Sequence, residues 1–304
     1  MSDSPEDDLL SSILNAYQLR AGVYGNPRLC GAWQMGTSGH KRAAFHIIGR
    51  GQCWLHLHDS VAPQALQGGD IVVFPHDAWH MLSGAPELAG EDNVMPSADE
   101  GPFTTLVCGY FEFQVGDKNP ILDALPEVII VRREDAGRPL ELIGQLLIDE
   151  ARSEAIGTRT VLDKLTDTLF VMVVRQYISG LADQRGLLAA LADPRLRKAL
   201  AIIHREPATA WTLDSLAQIA GMSRASFAQR FSELVGTSPI EYLTRWRMTQ
   251  AELLLRNPQV SVAAVAERVG YETEAAFRKA FKRVHGVGPG SIRRWFRRKL
   301  SVQD

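Results

Sequence analysis

Ala217-Gln-Ile-Ala-Gly221-Met-Ser223-Arg-Ala-Ser-Phe227-Ala-Gln-Arg-Phe231 is answered further along by Ala266-Glu-Arg-Val-Gly270-Tyr-Glu-Thr273-Glu-Ala-Ala-Phe277-Arg-Lys-Ala-Phe281. Phe227, Phe231, Gly236 and Pro239 recur 50 positions later as Phe277, Phe281, Gly286 and Pro289. Each copy is a helical run, a Gly turn and a helix with a polar N-cap, the pattern of a helix-turn-helix. Ser223 is placed to cap the first of these second helices and Thr273 the other. Phe227, Phe231 and Leu234 then form a buried i, i+4, i+7 stripe. Facing outward are Arg224, Ala225, Ala228 and Gln229 in the first copy, and Glu274, Ala275, Arg278 and Lys279 in the second. Arg and Gln on an open helix face are the residue types that reach guanine and adenine edges.

The copies are unequal. The second has one extra residue between its Gly and its first Phe, and it mixes Glu274 with Arg278 and Lys279. Base specificity is therefore expected to lean on one copy while the other anchors. Ile240 to Leu255 between them is a long helical run, ended by Asn257-Pro258. A rigid helix holding two readers implies two major-groove contacts about 34 Å apart. A stack of α-repeats would explain the period by packing alone, but two copies are too few for a solenoid.

Charge separates these readings. The chain of 304 residues has a net charge of −2, yet from Pro194 onward 19 Lys/Arg stand against 9 Asp/Glu, a balance of +10. The rest carries 14 against 26, a balance of −12. A polyanion partner at the C-terminal part explains that segregation, and a repeat stack does not. The length allows two cores. No run approaches 18 apolar residues, and Met1-Ser-Asp-Ser-Pro-Glu-Asp-Asp8 lacks a basic n-region, so no membrane span or signal peptide is expected and the setting is cytoplasmic. Three cysteines do not make a disulfide framework.

Upstream, Asp7 to Ala21 has a helical face. Arg42 to Ile48, Gln52 to His58, Asp70 to Phe74 and Thr104 to Phe113 then alternate as short strands between Gly turns, a small barrel or sandwich. Ala85 to Pro102 is a long loop or lid. Pro120 to Leu191 is helical, and the run Leu169 to Val174 is apolar on more than one face, expected to be buried on a neighbouring helix or in a dimer interface. The expected domains are 1–118 (sensor barrel), 119–183 (helical, dimerising), 184–194 (linker) and 195–304, the last holding motifs at 212–235 and 261–284.

Residues 197 to 296 resemble the AraC/XylS DNA-binding domain. The likeness rests on Ala217, Gly221, Phe227, Phe231, Gly236 and Pro239, on Arg247, Ala251 and Leu254-Leu255, and on Ala266, Gly270, Phe277, Phe281-Lys282, Gly286 and Pro289. It implies sequence-specific binding of promoter DNA and control of transcription, usually activation through contact with RNA polymerase. By position it makes Ala225, Gln229, Glu274, Arg278 and Lys279 base-facing, and Arg224, Arg247 and Lys282 join the DNA-binding set. The basic tail Arg293 to Lys299 is either a phosphate contact or a solvated helix.

Gly69-Asp-Ile-Val-Val-Phe-Pro75-His-Asp-Ala-Trp-His80 resembles the second motif of the cupin fold, with Asp77 where that motif carries Gly. Of the first cupin motif only His56-Leu-His58 is present, without its glutamate, which argues against a cupin dioxygenase or isomerase. With Phe45-His46-Ile-Ile-Gly49 and Leu125-Pro126, the first 190 residues are similar to the cupin-type sensors of the same family, above all the reactive-chlorine-responsive branch. The expected architecture is α+β multidomain: a cupin-like β-barrel with flanking helices, then an all-α double helix-turn-helix, acting as a homodimer.

Three readings of the sensor stay open. Cys30, His46 and His80 hold Zn2+, with Cys108 or water completing a tetrahedron. Alternatively Cys30 and Cys108 are a redox pair that reads an oxidant. In the third, a small organic effector fills the barrel and these side chains are packing. Cys53 alternates with Leu55 and Leu57 and belongs to the core, while His56 and His58 share the opposite strand face.

Overall fold

The computed structural model describes residues 10, 11, 14, 17, 19–58, 60, 62–96, 101–113, 121–180 and 186–300, the last four as backbone. Two compact units divide the chain. One is Leu19–Glu112 with Leu125–Gly180; the other is Met1–Gln18, Phe113–Ala124 and Leu181–Asp304.

Among the described residues of the first unit, ten strands form two sheets. They are β1 (Leu19–Gly25), β2 (Arg28–Cys30), β3 (Gln34–Met35), β4 (Ala43–Arg50), β5 (Gln52–Leu57), β6 (Gln64–Gln67), β7 (Ile71–Phe74), β8 (His80–Ser83), β9 (Phe103–Phe113) and β10 (Ile129–Val131). One sheet runs β1-β9-β4-β7-β10 with β2 also on β9; the other runs β3-β8-β5-β6. Ala44, Ile48, Cys53, Leu55, Leu66, Val72, Phe74, Leu82, Leu106 and Cys108 form one buried cluster. Every one of them lies on the face its strand turns toward the other sheet, since successive side chains alternate.

Strand β4 is buried on both faces, which is why its apolar run does not alternate. Phe45 stacks on Phe111 at 4.9 Å, and Phe111 meets Phe170 at 4.8 Å. His46, one position on, therefore points between the sheets. Gly109 opposite Phe45 is obligatory, because a Cβ there would sit 2.2 Å from the Phe45 ring.

Helices α1 (Gly137–Glu150) and α2 (Thr158–Ser179) cover the outer face. Leu169, Phe170, Val173 and Val174 are buried, and α2 packs on β1 and α1 within its own unit. The expected N-terminal helix stops early. Leu10, Ser11, Leu14 and Tyr17 are helical, but Leu19, Arg20 and Ala21 belong to β1. Pairing with β9 supplies backbone partners that a helix end would lack. The helical reading of 120–191 likewise gives way at β10, which pairs with β7.

The second unit is helical: α3 (Leu187–Ala192), α4 (Pro194–Arg205), α5 (Leu213–Ile219), α6 (Arg224–Val235), α7 (Pro239–Leu255), α8 (Val262–Arg268), α9 (Glu274–His285) and α10 (Pro289–Leu300). Residues 187–192, expected in a linker, are instead α3, with Leu187 to Leu191 all buried, because Leu-Leu-Ala-Ala-Leu is an apolar turn that packs on α6. Gly186 donates its N–H to Leu234 O at 2.7 Å. The preceding Ala182-Asp-Gln-Arg185 lies outside the described residues.

Both repeat copies fold as their caps dictate. Thr212 and Ser215 form a capping box on α5, Ser223 caps α6, Ser238 caps α7, Ser261 caps α8 and Thr273 caps α9, each worth about 1 kcal/mol. Gly236 and Gly286 end the two reading helices in the left-handed region. Helix α7 is shared. Its Tyr242 meets Phe231 of the first copy at 5.7 Å, while Met248, Ala251 and Leu255 join Phe277 and Phe281 in the second core.

Candidate DNA-reading face and sensor cluster

The reading helices present the residues that the periodicity turned outward. Arg224, Ala225, Gln229, Ala275, Arg278, Lys279 and Lys282 are exposed, while Ala228 and Glu274 are half-buried. Phe227, Phe231, Phe277 and Phe281 have no exposed surface and fix the helix faces. The candidate readers are already engaged with carboxylates. Arg224 donates to Asp214 at 3.2 Å, Gln229 to Glu233 at 2.8 Å and Arg278 to Glu274 at 2.6 Å. Surface pairs of this kind contribute about 0–1 kcal/mol, so a base edge can replace them at small cost. Glu274 thus holds its neighbour Arg278 and does not stand as a free reader.

Arg247 departs from the expected DNA-binding set. Its guanidinium donates Nε–H to Pro207 O at 2.6 Å, Nη2–H to Thr209 O at 2.9 Å and Nη1–H to Gly270 O at 3.3 Å. It also lies 5.7 Å from the centre of the Tyr271 ring. Three carbonyls and an aromatic face occupy the fork inside the domain. In the tail, Arg293 donates to Val260 O and Arg256 lies over the Phe296 ring, so α10 is partly a packing helix.

In the sheet unit, His46 of β4 and His80 of β8 meet across the interior, both fully buried. Their Nε2 atoms are 3.2 Å apart, and the Thr37 hydroxyl lies 3.0 Å from one and 2.8 Å from the other. Phe74 stacks on the His80 ring at 3.6 Å. Cys108, opposite His46 in the ladder, places Sγ 3.1 Å from His46 Nδ1. His80 Nδ1 faces the Ala78 carbonyl at 2.8 Å and so carries a proton, leaving its Nε2 as an acceptor. Burial holds both imidazoles below their usual range, with His80 adding to the effect on His46, and burial pushes the Cys108 thiol up to about 12. The neutral arrangement without opposed lone pairs runs one way: the Cys108 thiol donates to His46 Nδ1, His46 Nε2–H donates toward Thr37 and His80, and His80 Nδ1–H donates to Ala78 O.

Cys30 is not part of this group. It pairs with Phe103, five positions along β9 from Cys108, so the two cysteines are about 16 Å apart along the strand and on opposite faces. A disulfide needs Cα atoms about 4.4–6.8 Å apart, so this fold does not join them. The three-ligand set Cys30, His46 and His80 is likewise not brought together, and among the described residues no three His, Cys, Asp or Glu side chains converge as a metal site. His56 and His58 face away from His80, which shares its face with Leu57; His56 bonds Ser83 at 2.8 Å. The cupin histidines therefore do not converge.

Sequence reasoning missed Thr37, which no spacing marks. It also left Asp77 unexplained. Asp77 adopts φ 56°, the left-handed conformation that glycine takes at no steric cost. Its carboxylate accepts the N–H groups of Gly39 (3.0 Å) and Lys41 (2.5 Å), which holds the Thr37 loop over the histidines. The Tyr24 phenol bonds Thr37 from an exposed ring, so the cluster lies one residue from the surface.

A two-sheet sensor domain and a doubled helix-turn-helix in one chain define a DNA-binding regulator. A family model described as Cupin matches residues 8–179, and one described as Helix-turn-helix domain matches 216–295. A putative AraC-like transcription regulator of Streptomyces antibioticus is 32% identical over 301 residues, covering 94% of this chain and 98% of its own. The RCS-specific HTH-type transcriptional activator RclR of Escherichia coli K12 is 30% identical over 291 residues, 94% of this chain and 97% of that one. The DNA-binding domain of AdpA, solved with a target DNA, is 32% identical and covers 35% of this chain and 96% of that one, with a TM-score of 0.33. The chain belongs to the AraC family of transcription regulators, with a cupin sensing domain ahead of its DNA-binding domain. Among the described residues no helix is long and apolar enough to cross a membrane.

Proposed function

We propose that this protein is a promoter-specific transcription activator whose signal is read at the His46–His80–Cys108 cluster. The observation that carries the sensor reading is the convergence of two buried Nε2 atoms, 3.2 Å apart, on one hydroxyl. Imidazoles on a tetrahedral zinc, bound at about 2.0–2.1 Å, stand about 3.3 Å from each other, so the pair supplies two donors at a zinc-like spacing, one short of the three protein ligands that the least demanding zinc sites use. His46 and His80 would hold it, with Thr37 or water beside them, and the ion would fix both imidazoles as neutral ligands. With both Nε2 lone pairs on such an ion, the single His46 proton would sit on Nδ1, facing the Cys108 sulfur. That shared proton couples the metal site to the thiol that an oxidant would attack; Cys30 takes no part. Leu142 and Leu146, exposed one turn apart on α1, support a homodimer through the helical layer, and contact with RNA polymerase fits an activator.

The experiment starts from a duplex selected out of a random pool by the full chain. The affinity of wild type, His80→Ala, Cys108→Ser and Cys30→Ser for that duplex is then measured with and without zinc and hypochlorite. Loss of the response in His80→Ala and Cys108→Ser, with Cys30→Ser unchanged, is expected. A normal response from both His80→Ala and Cys108→Ser removes the cluster as the sensor. For the reader, Arg278→Ala should cost about 1–3 kcal/mol and relax preference at one base pair. An unchanged preference would move the reading elsewhere.

A further inference from the structure

Helix α7 does more than space the two motifs. Arg247, near its middle, donates to Pro207 O and Thr209 O, both in the loop that leads into the first motif. The same fork donates to Gly270 O, in the turn of the second motif, and faces Tyr271. The two backbones also touch directly. A Cβ on Gly270, at φ +81°, would lie 2.4 Å from Ala208 O and 2.7 Å from Ala208 Cα. Gly221, the matching glycine of the first copy, has open space around its Cβ direction. The loop is braced from its own side by Trp211 Nε1–H donating to Glu206 O at 2.9 Å. From Tyr271 the contact continues edge-on to Phe277, whose ring anchors α9 in the second core. Glu241 of α7 makes a second tie, accepting from Arg283 of α9 at 3.4 Å.

We infer that Arg247 is a positioning residue: by clamping the 206–211 loop onto the Gly270 turn it sets the separation and angle of the two reading helices, and so the spacing of the two subsites the protein accepts on DNA. The chemistry requires arginine. Three carbonyls in different directions need the planar fork of donors, whereas lysine offers a compact ammonium that can stay close to only one or two of them. The half-buried guanidinium commits each of its three nitrogens to a carbonyl of its own domain. The inference rests on the DNA-binding reading above and sharpens it.

The test uses the full chain, the selected duplex, and the same duplex with one or two base pairs inserted or removed between its two subsites. Wild type should lose about tenfold or more in affinity on altered spacing, because a base pair rotates one subsite by roughly a tenth of a turn. Arg247→Lys and Arg247→Met should both lose affinity on the native spacing and discriminate spacings by less than about threefold. The salt dependence separates positioning from phosphate contact. A lost phosphate contact lowers the slope of log K against log salt by about one in Arg247→Met, and lysine restores binding. Positioning leaves the slope unchanged, and lysine does not rescue. Restoration by lysine, or an intact spacing preference in both variants, overturns the inference. Gly270→Ala wedges the clamp from the other side with Arg247 in place and should broaden spacing in the same way; if the Arg247 variants do not fold, its outcome decides. A selection that returns no enriched sequence sinks the specific-regulator reading instead, so the two failures are distinct.

Discussion

The two helix-turn-helix copies share a register of phenylalanines and caps, but they differ in what surrounds their glycine turns. In the first copy Gly221 turns in open space; in the second Gly270 turns against the backbone of Ala208. The first turn answers only to its own dihedral, and the second also to the rest of the domain. The readers differ as well. The first copy offers Arg224 and Gln229 beside alanines, and the second offers Arg278, Lys279 and Lys282 in one exposed run. The core stripe, which each copy needs to fold, is the same in both, and the outer surfaces, where partners are met, differ.

The largest effect that could break this contrast is on stability. Gly221→Ala should cost about 1–2 kcal/mol, the left-handed penalty alone. Gly270→Ala should add a further 1–3 kcal/mol, roughly, for backbone that must move aside. Equal losses in urea unfolding would show that the second turn is not clamped. Next comes acid. His204 of α4 is buried against Trp246, with centroids 3.9 Å apart, and bonds Tyr242 at 2.7 Å; burial lowers its pKa to about 3. Above pH 6.5 it is neutral folded or unfolded and contributes nothing to pH dependence. Below that the unfolded chain takes up a proton that the fold refuses, so stability falls until about pH 3, by about 2 kcal/mol at pH 5. His204→Leu should flatten the slope measured by urea unfolding at pH 7 and pH 5. The smallest effect sits on the surface. Asp214→Asn and Glu274→Gln release Arg224 and Arg278, and should tighten DNA binding by less than about 1 kcal/mol each. A larger gain in one copy would mark that copy as the principal reader.

Much of the helical unit was legible because its signals are local. A cap, a 3.6-residue stripe and a Gly turn lie within a dozen residues of one another, and α5, α6, α8 and α9 follow them. The sheet unit was half legible for the opposite reason. Strands β2, β6, β8 and β10 are only three or four residues long, and they and β1 exist through pairing with other strands; β8 begins at His80, expected only as a motif residue. The sensor cluster shows the same limit. His46 and His80 stood out by type, but their meeting depends on two sheets facing each other. Cys30 was grouped with them because cysteine suits metal, whereas register places it opposite Phe103 and on the other face. Arg247 was grouped with the DNA contacts through the family likeness, and the convergence of three carbonyls from two distant turns on one fork cannot be read from sequence.

Helix α7 closes both cores, the first through Tyr242 and Trp246 and the second through Met248, Ala251 and Leu255. Neither copy can therefore be inherited, or destroyed, by itself. A message cut short at Asn257 would yield a helix with half its apolar stripe bare, a signal that cellular proteases act on. Through that helix the stability of each reader depends on the packing of the other.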